Sequence, residues 1–250
     1  MKPEIKIFEN VDDLSNALAI EFQQSAKAAA QSDCAFHVAL SGGTTPALFF
    51  KYLAEPTYQN KVPWEHVHFF WGDERCVPPD HPESNYGMTR RNLLNQIPLP
   101  QPNIHRIRAE ENPFEEVNRY SEEIENTVPK NKTNWPQFDW IFLGLGNDGH
   151  TASIFPGSDV LTEGSNICAL ATHPISGQQR ITLTLPVLNN AKRISFLVSG
   201  ESKAPIVAGI LQDKEGSKLL PAAHVQPEDG ILEWYMDRPA AALIQNKRGS

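Results

Sequence analysis

The chain has 250 residues, of which 40% are hydrophobic and 21% charged, as is ordinary for a soluble globular protein. Its net charge is −8 and no block of like charges occurs, which argues against a nucleic-acid or anionic-membrane partner. Cys34, Cys76 and Cys168 form no C-x-x-C pair and no signal-like or membrane-length apolar segment is found, so we expect free thiols in a cytoplasmic protein.

Hydrophobic periodicity predicts alternating strands and helices from the start of the chain. A strand is expected over residues 5–8, a helix over 10–30 and a second strand over 34–40. That strand leads directly into the sequence Ser-Gly-Gly-Thr-Thr-Pro at 41–46, so a strand-to-helix junction is predicted there.

The junction at 41–46 has the features of an anion site. Thr44 or Thr45 is expected to cap a helix over 46–54, with Pro46 in its first turn. Glycines beside a helix N-terminus expose backbone N–H groups to a phosphate. The absence of a Walker lysine excludes a nucleotide P-loop, and an ordinary capped junction is the alternative.

A third strand, expected over residues 66–71, is followed at once by Asp73, Glu74 and Arg75. Charges directly after a buried strand are costly unless they are paired or lie at a functional edge. Arg75 could therefore bind a phosphate with its forked guanidinium, or it could pair with Glu74. The sequence leaves both interpretations open.

A cysteine and two histidines in or next to this strand could also carry chemistry. Cys76 could be an activated thiol, but no histidine is clearly placed to serve it. His66 and His68 alternate along the strand and are expected to pack or pair on one side of it. No other metal-ligand spacing occurs, so we predict neither a metal nor a cofactor.

The middle of the chain continues the alternation up to a glycine-rich loop. Asp148 and His150 come just past the end of the last strand in this region, among three glycines. Ligands of open α/β sheets bind at that end of the strands, and a histidine there can act as an acid or base near neutral pH. The expected elements are a proline-rich loop over 78–82, a helix from 83 or 84 to 95, a strand over 104–107, a helix over 113–127, a polar linker over 128–137 and a buried strand over 140–143.

The same loop matches the dinucleotide fingerprint through Gly144, Gly146 and Gly149. A Rossmann loop would feed a long helix, whereas Pro156 and Gly157 would end any helix here after about two turns. The fingerprint also lies past mid-chain rather than at the start of a domain. A nicotinamide site is therefore disfavoured.

After Gly157 the alternation resumes, with a third strand-to-helix junction that starts at Gly200. Lys203 stands at the start of the helix, where a lysine opposes the helix dipole unless an anion is bound nearby. The pattern predicts an α/β fold with a single domain over 1–250 and a mostly parallel sheet covered by helices on both faces. The expected strands are 167–171, 180–185, 192–199 and a last one over 240–245.

Five stretches of this sequence together resemble the 6-phosphogluconolactonase family: 41–46, 71–75, 81–86, 144–156 and 200–203. The resemblance implies a modified Rossmann-like sheet, shared with the glucosamine-6-phosphate deaminases. It also implies hydrolysis of 6-phospho-D-glucono-1,5-lactone to 6-phospho-D-gluconate, the second step of the oxidative pentose phosphate pathway. We expect a carboxylic ester hydrolase that acts as a monomer or weak homodimer on a small sugar-phosphate lactone.

The resemblance also implies residue roles. His150 takes the position of the catalytic base, and we group Asp148 with it as catalytic. The motifs around the substrate phosphate and the rest of the pocket correspond to Ser41, Gly42, Gly43, Thr44, Asp73, Arg75, Arg180 and Lys203.

The deaminase is the nearest alternative, because it shares Asp73, Asp148 and His150 by motif. It requires an acidic residue seven positions after Asp148, where this chain has Phe155. A tyrosine also replaces Arg75 in the deaminase motif. Both departures favour the lactonase.

The expected chemistry follows from the substrate. A δ-lactone is an activated ester, so water and a general base such as His150 suffice, and the imidazolium can return the proton to the leaving oxygen. No Gly-x-Ser-x-Gly elbow is present, which argues against a serine hydrolase. A sugar-phosphate sensor without catalysis is the remaining alternative.

Overall fold

A parallel sheet of seven strands forms the centre of the computed structural model, which describes residues 2–244. Its strands, numbered along the chain, are β1 (Glu4–Phe8), β2 (Phe36–Leu40), β3 (Val67–Trp71), β5 (Ile104–His105), β6 (Trp140–Leu143), β9 (Arg193–Val198) and β10 (Ile231–Asp237). Their spatial order is β1-β10-β9-β6-β2-β3-β5, and every neighbouring pair is parallel. The predicted mostly parallel α/β sheet is confirmed.

Three further strands form a second, antiparallel sheet. It consists of β4 (Asp73–Arg75), β7 (Cys168–Thr172) and β8 (Gln179–Leu183), in the order β4-β8-β7. Strands near 167–171 and 180–185 were predicted, but as a continuation of the parallel alternation. The connection over 173–178 is a hairpin, and it is too short for the crossover that a parallel pair needs.

Helices lie on both faces of the parallel sheet. Phe22 packs against Trp140 on one face, with ring centroids 6.4 Å apart, and Glu123 accepts a hydrogen bond from His105 on the other, at 2.8 Å. The helices are α1 (Val11–Gln31), α2 (Thr44–Leu53), α3 (Pro56–Gln59), α4 (Asn85–Thr89, continued by a π-helical turn over Arg90–Leu94), α5 (Pro113–Thr127), α6 (Leu185–Asn189) and α7 (Ala204–Leu211). No helix among residues 2–244 is long and apolar enough to cross a membrane.

The buried apolar side chains of both sheets belong to one hydrophobic cluster. Phe142 of the parallel sheet and Ile181 of the antiparallel sheet are both fully buried in it. This shared core supports the proposal of a single domain. Burial of one such side chain stabilises the fold by roughly 1.5–3 kcal/mol.

The N-terminal cap of α2 differs from the prediction. Gly43, not Thr44 or Thr45, is the capping residue, and its φ of 106° lies in the region that favours glycine. The hydroxyl of Thr45 instead contacts that of Ser199 at 2.7 Å. The Thr45 side chain is therefore engaged in a tertiary contact with the residue that follows β9, and it does not cap α2.

The segment from Thr151 to Gly157 forms no helix. Ala152 has a φ of 47°, and Thr151 and Ile154 form an isolated bridge. Thr151 Oγ1 donates to the carbonyl of Gly144 at 2.9 Å, and Ser153 Oγ donates to Asp73 at 2.6 Å. These side-chain hydrogen bonds hold the segment as a loop.

The predicted last strand, 240–245, is wrong. Residues 240–243 form turns, and Gln245 lies outside the described residues. The last strand is β10, which pairs with both β1 and β9. Its apolar pattern is interrupted by Glu233, a carboxylate that is 2% exposed because Arg193 and Lys6 bind it.

Candidate active site

A cavity of about 250 Å³ opens at the carboxyl ends of β2, β6 and β9, beside β4 and β8. Loops meet there because the carboxyl ends of parallel strands share one edge of the sheet. Every predicted site residue except Asp148 lines it: Ser41, Gly42, Gly43, Thr44, Asp73, Arg75, His150, Arg180 and Lys203. Asp148 lies directly behind His150. Two larger grooves, of about 970 and 1060 Å³, contain none of these residues.

The glycines of the β2–α2 junction are required by close packing. A Cβ atom on Gly42 would lie 1.8 Å from Oδ1 of Asn85. Gly43 then turns the chain so that α2 begins at Thr44 with its first backbone N–H groups beside the cavity. The predicted anion-binding geometry is therefore available.

His150 is oriented by Asp148. The carboxylate Oδ1 of Asp148 accepts from Nδ1 of His150 at 2.6 Å and from the backbone N–H at 3.2 Å. With the proton on Nδ1, Nε2 is left as an acceptor. Partial burial would raise the pKa of Asp148, but the charge and hydrogen bonds of His150 outweigh it and hold that pKa below its usual value.

Gly146 provides the space for this pair. A Cβ atom there would lie 2.1 Å from Nδ1 of His150 and 2.4 Å from Oδ1 of Asp148. The glycine spacing that resembles a dinucleotide fingerprint thus has another explanation, which is close approach of two side chains to the backbone.

Asp73 is held rigidly at the cavity wall and is 5% exposed. Ser153 Oγ donates to its Oδ2 at 2.6 Å, and Asn85 Nδ2 donates to its Oδ1 at 3.2 Å. Neither Asn85 nor Ser153 was assigned a role from the sequence. Both lie in stretches that carry the family resemblance, 81–86 and 144–156, which was the available signal.

Within residues 2–244 the guanidinium of Arg75 forms no ion pair with Glu74, so one of the two interpretations is contradicted and the binding of a phosphate stays a prediction. The buried Glu74 carboxylate accepts from the backbone N–H groups of Arg75, Asn85 and Tyr86 and from the hydroxyl of Ser84. Burial raises the pKa of Glu74 although these donors oppose it. Arg75 Nη1 donates to the carbonyl of Glu83, while its buried Nε has no partner.

Three cations surround the cavity without a carboxylate partner. Within residues 2–244, Arg75, Arg180 and Lys203 form no ion pair. Burial lowers the pKa of Lys203, although Asp148 opposes it, and burial followed by the charge of Arg75 lowers that of Arg180. Uncompensated cations in a partly desolvated cavity favour an anionic ligand.

The thiol of Cys76 is unsuited to nucleophilic attack. Burial, together with the charge of Glu74, raises its pKa to about 11, so it stays protonated at neutral pH. In the described part of the chain, no group of three or more His, Cys, Asp or Glu side chains is placed to hold a metal ion.

The model of a family described as glucosamine-6-phosphate isomerases/6-phosphogluconolactonase matches residues 9–234 of this chain. The chain belongs to this family. The 6-phosphogluconolactonase of Haemophilus influenzae is 45% identical over 208 residues, which cover 83% of this chain and 87% of that protein. The solved structure of 6-phosphogluconolactonase from Trypanosoma brucei has a TM-score of 0.83 at 26% identity and covers 96% of this chain and 98% of its own. A crystal structure named devB protein has a TM-score of 0.90 at 43% identity and covers 97% and 99%.

The resemblance seen in the sequence is thereby confirmed. For a deaminase, the family resemblance predicts an acidic residue at the position seven residues after Asp148. Phe155 occupies it here and is 1% exposed, with its ring centroid 5.0 Å from that of His150. An apolar ring in this place cannot transfer a proton.

Proposed function

We propose that this protein hydrolyses 6-phospho-D-glucono-1,5-lactone to 6-phospho-D-gluconate, the second step of the oxidative pentose phosphate pathway. The observation that carries the proposal is the hydrogen-bonded pair Asp148–His150 beside a cavity with three cations that have no carboxylate partner among residues 2–244. Relatives that match most of this chain are named 6-phosphogluconolactonase.

The site can perform the hydrolysis with protein groups and water alone. Nε2 of His150 takes a proton from water while the water oxygen bonds to the lactone carbonyl carbon. The bond between that carbon and the ring oxygen then breaks, and the imidazolium returns the proton to the ring oxygen. The lowered pKa of Asp148 keeps its carboxylate ionised. The carboxylate therefore holds the proton on Nδ1 throughout and stabilises the imidazolium.

The cations and the β2–α2 junction supply the contacts to the phosphate. In our proposal Arg75 and Lys203 bind it together with the segment that contains Ser41, Gly42, Gly43 and Thr44. Arg180 and Asp73 hold the sugar end of the cavity. Arg75 Nε, buried without a partner, would gain its missing hydrogen bond from the bound substrate.

The alternative within the family is a glucosamine-6-phosphate deaminase. That reaction needs a further acid to assist ring opening and the loss of the amine, and Phe155 contributes none. The other alternative is a sensor that binds sugar phosphates without turnover. The short contact between His150 and Asp148 argues against it, because binding alone does not need an oriented base.

The test is a coupled or pH-stat assay with freshly made phosphorylated lactone. Acceleration over spontaneous hydrolysis, with no ammonia from glucosamine 6-phosphate, is the expected outcome. Tight binding without turnover would indicate the sensor, and ammonia release at a comparable rate would indicate the deaminase.

We further propose that the protein is cytoplasmic, binds no nucleic acid and is a monomer or weak homodimer. The composition supports the second point, since a net charge of −8 without basic blocks gives nucleic acid no electrostatic footprint. Sedimentation velocity over a range of concentrations tests the oligomeric state.

A further inference from the structure

The ring of Phe155 is a shared contact for side chains at the cavity. The imidazole of His150 lies 5.0 Å from it, centroid to centroid, at an interplanar angle of 52°. The guanidinium Cζ of Arg180 lies 5.5 Å from the ring centroid, and His173 meets the ring edge to face at 5.0 Å. Phe155 itself is 1% exposed.

The two functional neighbours of Phe155 have few other restraints. His150 is held by Asp148 at one ring nitrogen, which leaves the tilt of the imidazole to its packing partners. Arg180 makes one side-chain hydrogen bond, a long one from Nε to Gln178 Oε1 at 3.3 Å. In the described residues no carboxylate pairs with Arg180, so the aromatic ring is its main fixed support.

Phe155 is in turn held by its own segment. The hydroxyl of Ser158 donates to the Phe155 carbonyl at 2.8 Å. On the other side, Ile154 N donates to Thr151 O at 2.9 Å, and Ser153 is bonded to Asp73. The backbone of Phe155 is therefore fixed within the loop that carries His150, and its ring is enclosed by the core.

We propose that Phe155 is a positioning residue that fixes His150 on one side and Arg180 on the other, so that the base and this cation keep a defined separation. This inference rests on the proposed function, because the separation is useful only if one molecule engages both groups. The phenyl ring takes no part in proton transfer, and its effect on the reaction passes through its two neighbours.

The test compares variants that remove the ring and keep the apolar volume. Phe155→Leu is the first, and Phe155→Met, whose flexible chain refills the space, replaces it if the leucine variant does not fold. Phe138→Leu is the matched control, because Phe138 is also fully buried and lies outside the cavity. Circular dichroism and thermal unfolding establish that each variant is folded.

Loss of the ring is expected to lower kcat about tenfold, because the imidazole of His150 is then held less firmly. It is also expected to raise the dissociation constant of 6-phosphogluconate about three- to tenfold through Arg180. Arg180→Ala alone should weaken product binding similarly, and adding Phe155→Leu to it should change binding less than about twofold. Phe138→Leu should leave kcat and product binding unchanged.

The outcomes separate this inference from the proposed function. A wild-type protein without turnover would refute the function itself. An active wild type whose folded Phe155 variants keep both constants within about twofold would refute the positioning role. Multiplicative effects of the Phe155 and Arg180 changes on product binding would also refute it, since independent residues give additive free energies.

Discussion

At the level of single residues, the contact between Asp148 and His150 determines which ring nitrogen would take the proton in the proposed mechanism. The carboxylate occupies Nδ1, so the only ring nitrogen that can accept a proton is Nε2. Gly146 makes the contact possible, because any side chain there would collide with both partners. The base therefore depends on a residue that has no side chain.

His150→Asn tests the base directly. Asparagine keeps a polar group of similar reach but cannot accept a proton near neutral pH, so kcat should fall by roughly 10²–10⁴. Product binding should change by no more than several-fold. Steady-state rates after subtraction of spontaneous hydrolysis give the answer. A variant with more than about a tenth of the wild-type kcat would move the role of base to another residue.

Lys203→Ala and Arg75→Ala test the phosphate contacts. Each should cost roughly 1.5–3 kcal/mol in kcat/KM for the phosphorylated lactone, the range of a lost charge-assisted hydrogen bond. Little should be lost for plain gluconolactone, which lacks the phosphate. Lys192→Ala is a suitable control, since Lys192 lies outside the cavity and is largely exposed. Equal losses on both lactones would show that these cations are structural.

At the level of elements, three histidines meet across β2, β3 and β5. Nδ1 of His68 lies 3.0 Å from Nε2 of His105, and the rings of His37 and His68 are 5.2 Å apart. His66 and His68 were expected to pack or pair on one side of the same strand, but only His68 lies in β3, because His66 precedes it in a 3₁₀ turn and contacts the carbonyl of Cys34. His37 and His68 are each the second residue of their strand, His105 is the last residue of β5, and none of the three lines the cavity.

This cluster makes stability depend on pH. Burial, followed by the charges of His37 and His105, lowers the pKa of His68 to about 4. The pKa of a histidine in an unfolded chain is about 6.5. Between these two pKa values the unfolded chain binds more protons than the folded protein, so stability falls as the pH is lowered. Because His68 is only half-buried, its share of the loss from pH 7 to 4 should be about 1–2 kcal/mol.

Urea unfolding at pH 7 and pH 5 measures this dependence. The His68→Gln variant should lose less stability than the wild type on acidification, because it has no proton to gain at that position. His81→Gln, at a partly exposed histidine of the 81–86 stretch, should behave like the wild type. An unchanged pH slope in His68→Gln would contradict the assignment.

How far the sequence predicts an element depends on where its determinants lie. The helix α5 has the predicted bounds, because Asn112 caps it and Pro113 occupies its first turn, both local signals. The strand β10 was missed because its buried Glu233 is neutralised by Arg193 and Lys6, which come from distant parts of the chain. Rules that use only neighbouring residues in the sequence predict that such a carboxylate is exposed.

The same distinction applies to the site. Residues in contiguous motifs, such as His150 and Arg75, could be identified, and the structure brings them together. The contacts that hold these residues in place could not be predicted from the sequence. The bond between Ser153 and Asp73 joins residues 80 positions apart, and it depends on how two loops meet above the sheet.

At the level of the whole molecule, an acidic protein concentrates uncompensated positive charge in one cavity. Ligand binding there should stabilise the whole fold. With 6-phosphogluconate at about 100 times its dissociation constant, the free energy of unfolding should rise by about 2.7 kcal/mol, which corresponds to an increase in Tm of about 5–10 °C. Differential scanning fluorimetry measures it. Gluconate at equal concentration should have no effect, and an equal shift would mean that the phosphate is not recognised.

The position of β10 between β1 and β9 has a consequence for biosynthesis. In a chain growing on the ribosome, the first strand has no neighbour until residues 231–237 have emerged, although the last cavity residue, Lys203, was added much earlier. A chain that ends after Lys203 and before Ile231 would contain every cavity residue but lack the strand that joins β1 to the sheet, so we expect it to be inactive. Until translation passes that point, the nascent polypeptide exposes two unpaired strand edges, which makes it a client for chaperones.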